Sequence, residues 1–276
     1  MSISIVTFAT TGKNYRYRDY SNFLDELRTE LSKLGFDLLS YNQTDIAPTN
    51  FKSIKPFTKM RRGAGYWVWK PFIIKTAAAQ IQTRYLLYVD VDLRVENINQ
   101  EQLIASLNQQ AVGVFEMKDK VSDWSSDRSL QYFDKNLIAD SFSYASGVIL
   151  LDTEHVDFEN WLRIWESYLL NPKLILDPLF TTKQNHRHDQ TILSSLIAIG
   201  RLSISKLPPT SLVLDGSNET THRNDWGGTV LRHGRLERPV DDKRSRNQIS
   251  VIFHKAQLVM FWIRFSVVNL KKKIAE

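Results

Sequence analysis

Residues 85–92 read Tyr85-Leu86-Leu87-Tyr88-Val89-Asp90-Val91-Asp92. Five apolar residues in succession describe a strand covered on both faces, as in the centre of a sheet layered between helices. The run ends on two carboxylates at i and i+2, which extended chain turns to one face while Val91 packs inward. Ligands of open α/β sheets bind beyond the carboxyl ends of the strands. Paired hard oxygen donors at such a place suit Mg²⁺ or Mn²⁺.

Outward from this strand the chain alternates. Ser2 to Phe8 is a β-branched run that predicts a buried first strand. Tyr20 to Leu34 places Phe23, Leu24, Leu27, Leu31 and Leu34 at helical spacing and closes on Gly35. Phe36 to Tyr41 completes a β-α-β unit. Pro71 to Thr83 predicts a helix with proline in its first turn. Beyond the central strand the pattern predicts a helix over Gln100–Leu107 and a strand over Ala111–Met117. Residues 118–136 are polar, hold Trp124, and read as a mobile surface segment, a lid or an acceptor-side loop. A strand over Ser146–Leu151 follows, then helices over Asn160–Leu170 and Asp189–Gly200, and a last strand over Ser203–Leu207.

The resulting expectation is an α/β fold, with a mostly parallel central sheet of Rossmann-like type. One catalytic domain covers 1–215, a loop region rich in Gly, Asn, Arg and Asp covers 216–248, and an apolar-basic helix covers 249–276. The 276-residue chain has no cysteine, which excludes disulfides, thiolate zinc sites and cysteine nucleophiles and is compatible with a cytoplasmic location. No apolar stretch reaches the roughly 18 residues of a membrane span, and no basic n-region precedes the apolar start as in a signal peptide. Net charge is +6, yet residues 232–276 alone carry eleven Lys or Arg against four Asp or Glu. The body is therefore near neutral and the tail basic, which argues against nucleic acid as partner. It points instead to an anionic surface. With Phe261, Trp262 and Phe265 in the apolar run and Lys271 to Lys273 after it, the tail reads as an interfacial helix on the inner face of a membrane, or as a helix packed on the domain.

The Asp90-Val91-Asp92 block resembles the D-x-D motif of GT-A glycosyltransferases, especially the retaining, glycogenin-like and galactosyltransferase-like families. The resemblance implies that Asp90 and Asp92 hold a divalent metal, Mn²⁺ or Mg²⁺, on the diphosphate of a nucleotide sugar. Four more stretches agree in order. Residues 5–15 stand where these families cradle the nucleoside, implying donor contacts from Phe8, Ala9, Thr10 and Tyr15. Residues 61–71 (RRGAGYWVWKP) supply Arg62 and Lys70 toward the phosphates, and the string from Gly65 to Pro71 is similar to that of a bacterial polysaccharide-type group. Its rings suit stacking against a ligand. Residues 144–152 (YASGVILLD) resemble the strand whose small residues, here Ser146 and Gly147, lie against the donor sugar; Ala145 replaces the Asn of many relatives. Asp189-Gln190 resembles the D-Q motif beside the anomeric carbon, read here as catalytic. The resemblance adds a C-terminal histidine as third metal ligand, for which His222 is preferred over His233 and His254. It implies a UDP-sugar donor most readily, a glycan or lipid-linked glycan acceptor, and retention of configuration.

Two other readings stand beside this one. A sugar-phosphate nucleotidyltransferase would open with a glycine-rich basic loop after the first strand, and residues 9–18 (ATTGKNYRYR) lack the repeated glycines. A non-catalytic carbohydrate- or lipid-binding module would not need Asp90, Asp92, Asp189 and Gln190 together.

Overall fold

The computed structural model describes residues 2–12, 19–46, 53–60, 62–176, 186–214 and 255–262. β1 (Ile3–Phe8), helix α1 (Ser21–Lys33) and β2 (Leu38–Tyr41) form the expected opening unit, with α1 burying Phe23, Leu24, Leu27 and Leu31. A short 3-10 helix at Phe57–Lys59 leads to α2 (Gly63–Tyr66), a single turn, and to α3 (Lys70–Ala78), which carries proline in its first turn as expected. β3 (Tyr85–Val89) is buried at every position, as its composition requires. β4 (Val95–Ile98) and α4 (Gln100–Ser106) follow, the helix capped by the Asn99 side chain.

β5 (Val112–Lys120) outruns its predicted end. A 3-10 turn, α5 (Asp127–Tyr132) and α6 (Lys135–Ile138) then occupy the segment expected to be a polar surface loop. Val121, Ser125, Ser126, Ser129, Leu130, Phe133 and Ile138 are buried there. The serines tolerate burial because each bonds locally: Ser125 Oγ donates to the Val121 carbonyl at 2.6 Å, and Ser126 and Ser129 share a hydrogen bond of 3.0 Å. β6 (Phe142–Asp152), α7 (Phe158–Leu169), α8 (Pro172–Ile175), α9 (His188–Ala198), β7 (Ser205–Lys206) and β8 (Leu212–Leu214) complete the order.

The main sheet has the order β2-β1-β3-β6-β5-β7. β1 is parallel to β2 and β3, β6 is antiparallel to β3 and β5, and β7 is parallel to β5. Five of the six strands therefore run one way and β6 runs against them. β4 and β8 form a separate antiparallel pair. The reversal of β6 matters for the site. The register Val89 opposite Val148 brings Gly147 beside Asp90, so the amino-terminal half of β6 meets the carboxyl ends of β1 and β3.

Residues 255–262 are helical. Leu258 and Phe261 join the main core, Phe261 meeting the Phe57 ring at 5.3 Å, while Val259 and Met260 face outward. Phe261 is thus turned to the domain rather than presented for insertion; Phe265 and Lys271 to Lys273 lie outside the described residues. Among the described residues no helix is long and apolar enough to cross a membrane.

Candidate active site at the carboxyl end of β3

Asp90 leaves β3 at its carboxyl end. Its backbone N–H donates to the Gly147 carbonyl at 2.7 Å, and Leu93 N–H closes the turn onto the Asp90 carbonyl at 3.1 Å. Val91 packs with Ala9, Phe23 and Leu24, as expected of the residue between the two aspartates. Arg94 pins the same turn to α1 through ion pairs with Glu26 and Glu30.

The centre of the site is an ammonium between two carboxylates. Lys70 is 1% exposed, and its Nζ lies 2.8 Å from Asp189 Oδ2 and 3.1 Å from Asp90 Oδ1. It also donates to the Ser146 carbonyl at 2.9 Å. Tyr88 Oη donates to Asp90 Oδ1 at 2.6 Å. Each ionisation responds. Burial pulls the Lys70 pKa down, but the charges of Asp189 and Asp90 together outweigh it and hold it above its ordinary value. Burial pushes Asp90 up; Lys70 draws it back, and the charges of Asp92 and Asp189 leave it raised in sum. Burial and then the Asp90 charge push the Tyr88 phenol well above its usual range.

Gly147 faces this cluster closely. A Cβ there would stand 2.9 Å from Asp90 Oδ2, so only glycine leaves the carboxylate its position. Asp189 lies in the first turn of α9, one residue inside the helix start rather than at the capping position, which is Arg187. Gln190, next along, donates from Nε2 to Met117 Sδ at 3.0 Å and is half-buried.

The turn before Lys70 has an unusual backbone. Gly63, Ala64, Gly65, Tyr66 and Trp67 all have positive φ, between 49° and 109°, a left-handed turn in which three residues carry side chains. Such residues cost about 1–2 kcal/mol each, and surrounding contacts must hold them. The Gly65 and Tyr66 N–H groups both donate to the Arg62 carbonyl, at 3.0 and 2.7 Å. Trp69 Nε1–H donates to the Gly63 carbonyl at 2.9 Å. A Cβ on Gly65 would meet the Phe57 carbonyl at 3.0 Å.

The expected donor-binding residues divide. Asp90, Lys70, Ser146, Gly147 and Asp189 converge, and Gln190 adjoins them. Phe8 is buried under Trp69, ring centroids 3.8 Å apart, so these two rings stack on each other. Ala9 and Thr10 are buried at the end of β1, where Thr7 Oγ1 bonds the Val89 carbonyl at 2.6 Å. Tyr66 meets His188 edge-on and Trp67 stacks on it, so the rings of this motif pack on protein groups. Arg62 is exposed. Tyr15 and His222 lie outside the described residues, as does His233. Tyr88 is a member of the site that the motifs do not mark, although a tyrosine two positions before Asp90 in a buried strand shares its face and needs a partner for its hydroxyl.

Asp90 and Asp92 are the residues that could hold a metal. They are hard oxygen donors, and Asp92's charge is among those raising Asp90, a crowding that a divalent cation would relieve. Among the described residues no group of three or more His, Asp or Glu converges as a complete metal centre.

No protein-family model matches the chain, and no curated protein matches it. Among solved structures it is similar to mouse xyloside xylosyltransferase 1, at 12% identity over 72% of this chain and 83% of that one, with a TM-score of 0.44. It is similar to the galactosyltransferase LgtC in complex with donor and acceptor sugar analogues, at 13% identity over 70% of each chain and a TM-score of 0.36. A third is the apo-form glycosyltransferase GlyE of Streptococcus pneumoniae, at 15% identity over 75% of this chain and 45% of that one, with a TM-score of 0.40.

Proposed function

We propose that this chain is a metal-dependent glycosyltransferase of GT-A architecture. It moves a sugar from a nucleotide-sugar donor, a UDP-sugar foremost, to a glycan or lipid-linked glycan acceptor, with retention, in polysaccharide or lipopolysaccharide assembly. One observation carries the reading: the Lys70 ammonium joins Asp90 of the D-x-D stretch to Asp189 of the D-Q stretch, with the carbonyl of Ser146 as third acceptor. Four sequence stretches separated by up to 119 positions thus meet at the carboxyl ends of β1 and β3, where α/β sheets bind ligands.

Residues 1–215 form the catalytic domain in this reading. Asp90 and Asp92 would hold Mn²⁺ or Mg²⁺, with His222 as the third protein ligand; such an ion, when bound, supplies positive charge to the leaving diphosphate. Lys70 adds a fixed charge in a site that needs no reorganisation when the bond breaks. Gly147 lets the donor sugar lie against backbone beside Asp90. Gln190 and Asp189 face the sugar, and α5 with the turn before it borders the acceptor side. The basic residues beyond 262 hold the enzyme to an anionic membrane face where lipid-linked acceptors reside.

Turnover tests this directly. Purified protein is incubated with UDP-, GDP- and CMP-sugars in Mn²⁺, Mg²⁺ or EDTA. Metal-dependent release of one nucleoside diphosphate or monophosphate is expected; no release from any of them would remove the reading.

A further inference from the structure

His188 belongs to none of the roles above, yet the turn that precedes Lys70 packs against it, and it adjoins Asp189 on α9. Its ring is 1% exposed. Tyr66 meets it edge-on with centroids 4.6 Å apart, and Trp67 lies nearly parallel at 5.7 Å and 20°. Both rings come from the left-handed turn that delivers Lys70. His188 Nδ1 lies 2.7 Å from the Ile175 carbonyl. A carbonyl only accepts, so Nδ1 carries the hydrogen. His186 uses the opposite tautomer: its Nδ1 accepts from Ser126 N–H at 3.3 Å, and its Nε2–H donates to the Leu174 carbonyl at 2.9 Å. Arg128 donates to the Leu176 carbonyl at 2.8 Å. Three successive carbonyls at the end of α8 are thereby satisfied by side chains from two other segments.

The next residue after His188 is Asp189, partner of Lys70. The pair 70–189 is therefore reached twice from the same turn, once through the chain to Lys70 and once through Tyr66, Trp67 and the His188 ring. We propose that His188 is a positioning residue: its Nδ1–H bond to Ile175 and its box of Tyr66 and Trp67 fix the first turn of α9, so that the Asp189 carboxylate meets the Lys70 ammonium. The Tyr66 and Trp67 rings close on the same histidine, so the two sides of the site share one anchor.

Asn and Gln at this position separate the proposal from simple filling of space. In His188→Asn the amide nitrogen stands where Nδ1 stands and keeps the bond to Ile175. In His188→Gln the longer side chain places its amide where Nε2 stands and loses that bond. Two readouts are taken on the wild type, His188→Asn, His188→Gln and His188→Ala. The first is acylation of Lys70 by an amine-reactive reagent, mapped by mass spectrometry, which needs no substrate. The second is kcat and KM for the nucleotide sugar, which rests on the transferase reading. In the wild type and His188→Asn, Lys70 stays protected and kcat agrees within about threefold. In His188→Gln and His188→Ala, Lys70 labels at least about tenfold faster and kcat falls by a similar factor with little change in KM. Equal Lys70 protection in Asn and Gln variants that both melt cooperatively would overturn the proposal. The predicted labelling pattern in a protein that turns over no nucleotide sugar would keep the proposal and sink the transferase reading instead.

Discussion

Replacing Lys70 by methionine keeps the apolar stem of the side chain at nearly its full length and removes the ammonium. In the wild type that ammonium serves Asp189, Asp90 and the Ser146 carbonyl at 2.8 to 3.1 Å, with 1% of the side chain exposed. Breaking a buried pair by deleting one partner costs about 3–5 kcal/mol, because the surviving charge remains desolvated. Here two carboxylates survive. With a urea slope of about 3 kcal/mol/M the unfolding midpoint should fall by about 1–1.7 M at pH 8. The pH dependence tests the cause. Asp90 is raised in the folded state, so its contribution to stability is greatest below the unfolded carboxylate pKa and is lost as pH rises through the folded one. Without Lys70 the one charge drawing Asp90 down is gone, and Asp90 rises further. The variant therefore regains more stability than the wild type on acidification, and the gap narrows by about 1–2 kcal/mol between pH 8 and pH 5. A gap below about 1 kcal/mol at pH 8, or one that widens toward pH 5, would refute the ion-pair argument.

Three other outcomes follow from the packing and the site. Gly147→Ala places a Cβ 2.9 Å from Asp90 Oδ2 and should weaken nucleotide-sugar binding at least about tenfold by calorimetry while costing about 1–3 kcal/mol of stability; unchanged affinity would mean that this carboxylate does not face the ligand. Phe261→Ala should cost about 3–5 kcal/mol in chemical denaturation because the ring is buried against Phe57, whereas a tail that stands off the domain would cost almost nothing. Tyr88→Phe removes a 2.6 Å hydrogen bond to a charged acceptor and should cost about 1.5–3 kcal/mol; a loss near zero would show that Asp90 is held by Lys70 alone.

Where hydrophobic pattern alone decides structure, the sequence is readable. The five-residue run at 85–89 forms β3 with those bounds, and the spacing of Phe23, Leu24, Leu27 and Leu31 is the buried face of α1. Residues 118–136 mislead because polar composition stands for exposure only when serines lack local partners, and Ser125, Ser126 and Ser129 have them. The direction of β6 carries no local signal, since an apolar strand pairs either way, yet it is what sets Gly147 beside Asp90. The string at 63–71 announces glycines, rings and a lysine. Its left-handed turn and the pairing of its rings with Phe8 and His188 depend on contacts far away in the chain, which periodicity does not record.

The central claim is that Asp90 and Asp92, with Lys70 behind them, receive a metal-bound nucleotide sugar. Thermal unfolding of the wild type and Asp92→Asn with UDP-, GDP- and CMP-sugars, each with Mn²⁺ or EDTA, tests it most directly. The account predicts that one nucleotide sugar raises the wild-type Tm only with metal, by roughly 5–10 °C at about 100-fold its Kd, and that Asp92→Asn abolishes the shift. A wild type that responds to none of them, or a metal-dependent shift that survives in Asp92→Asn, would contradict it.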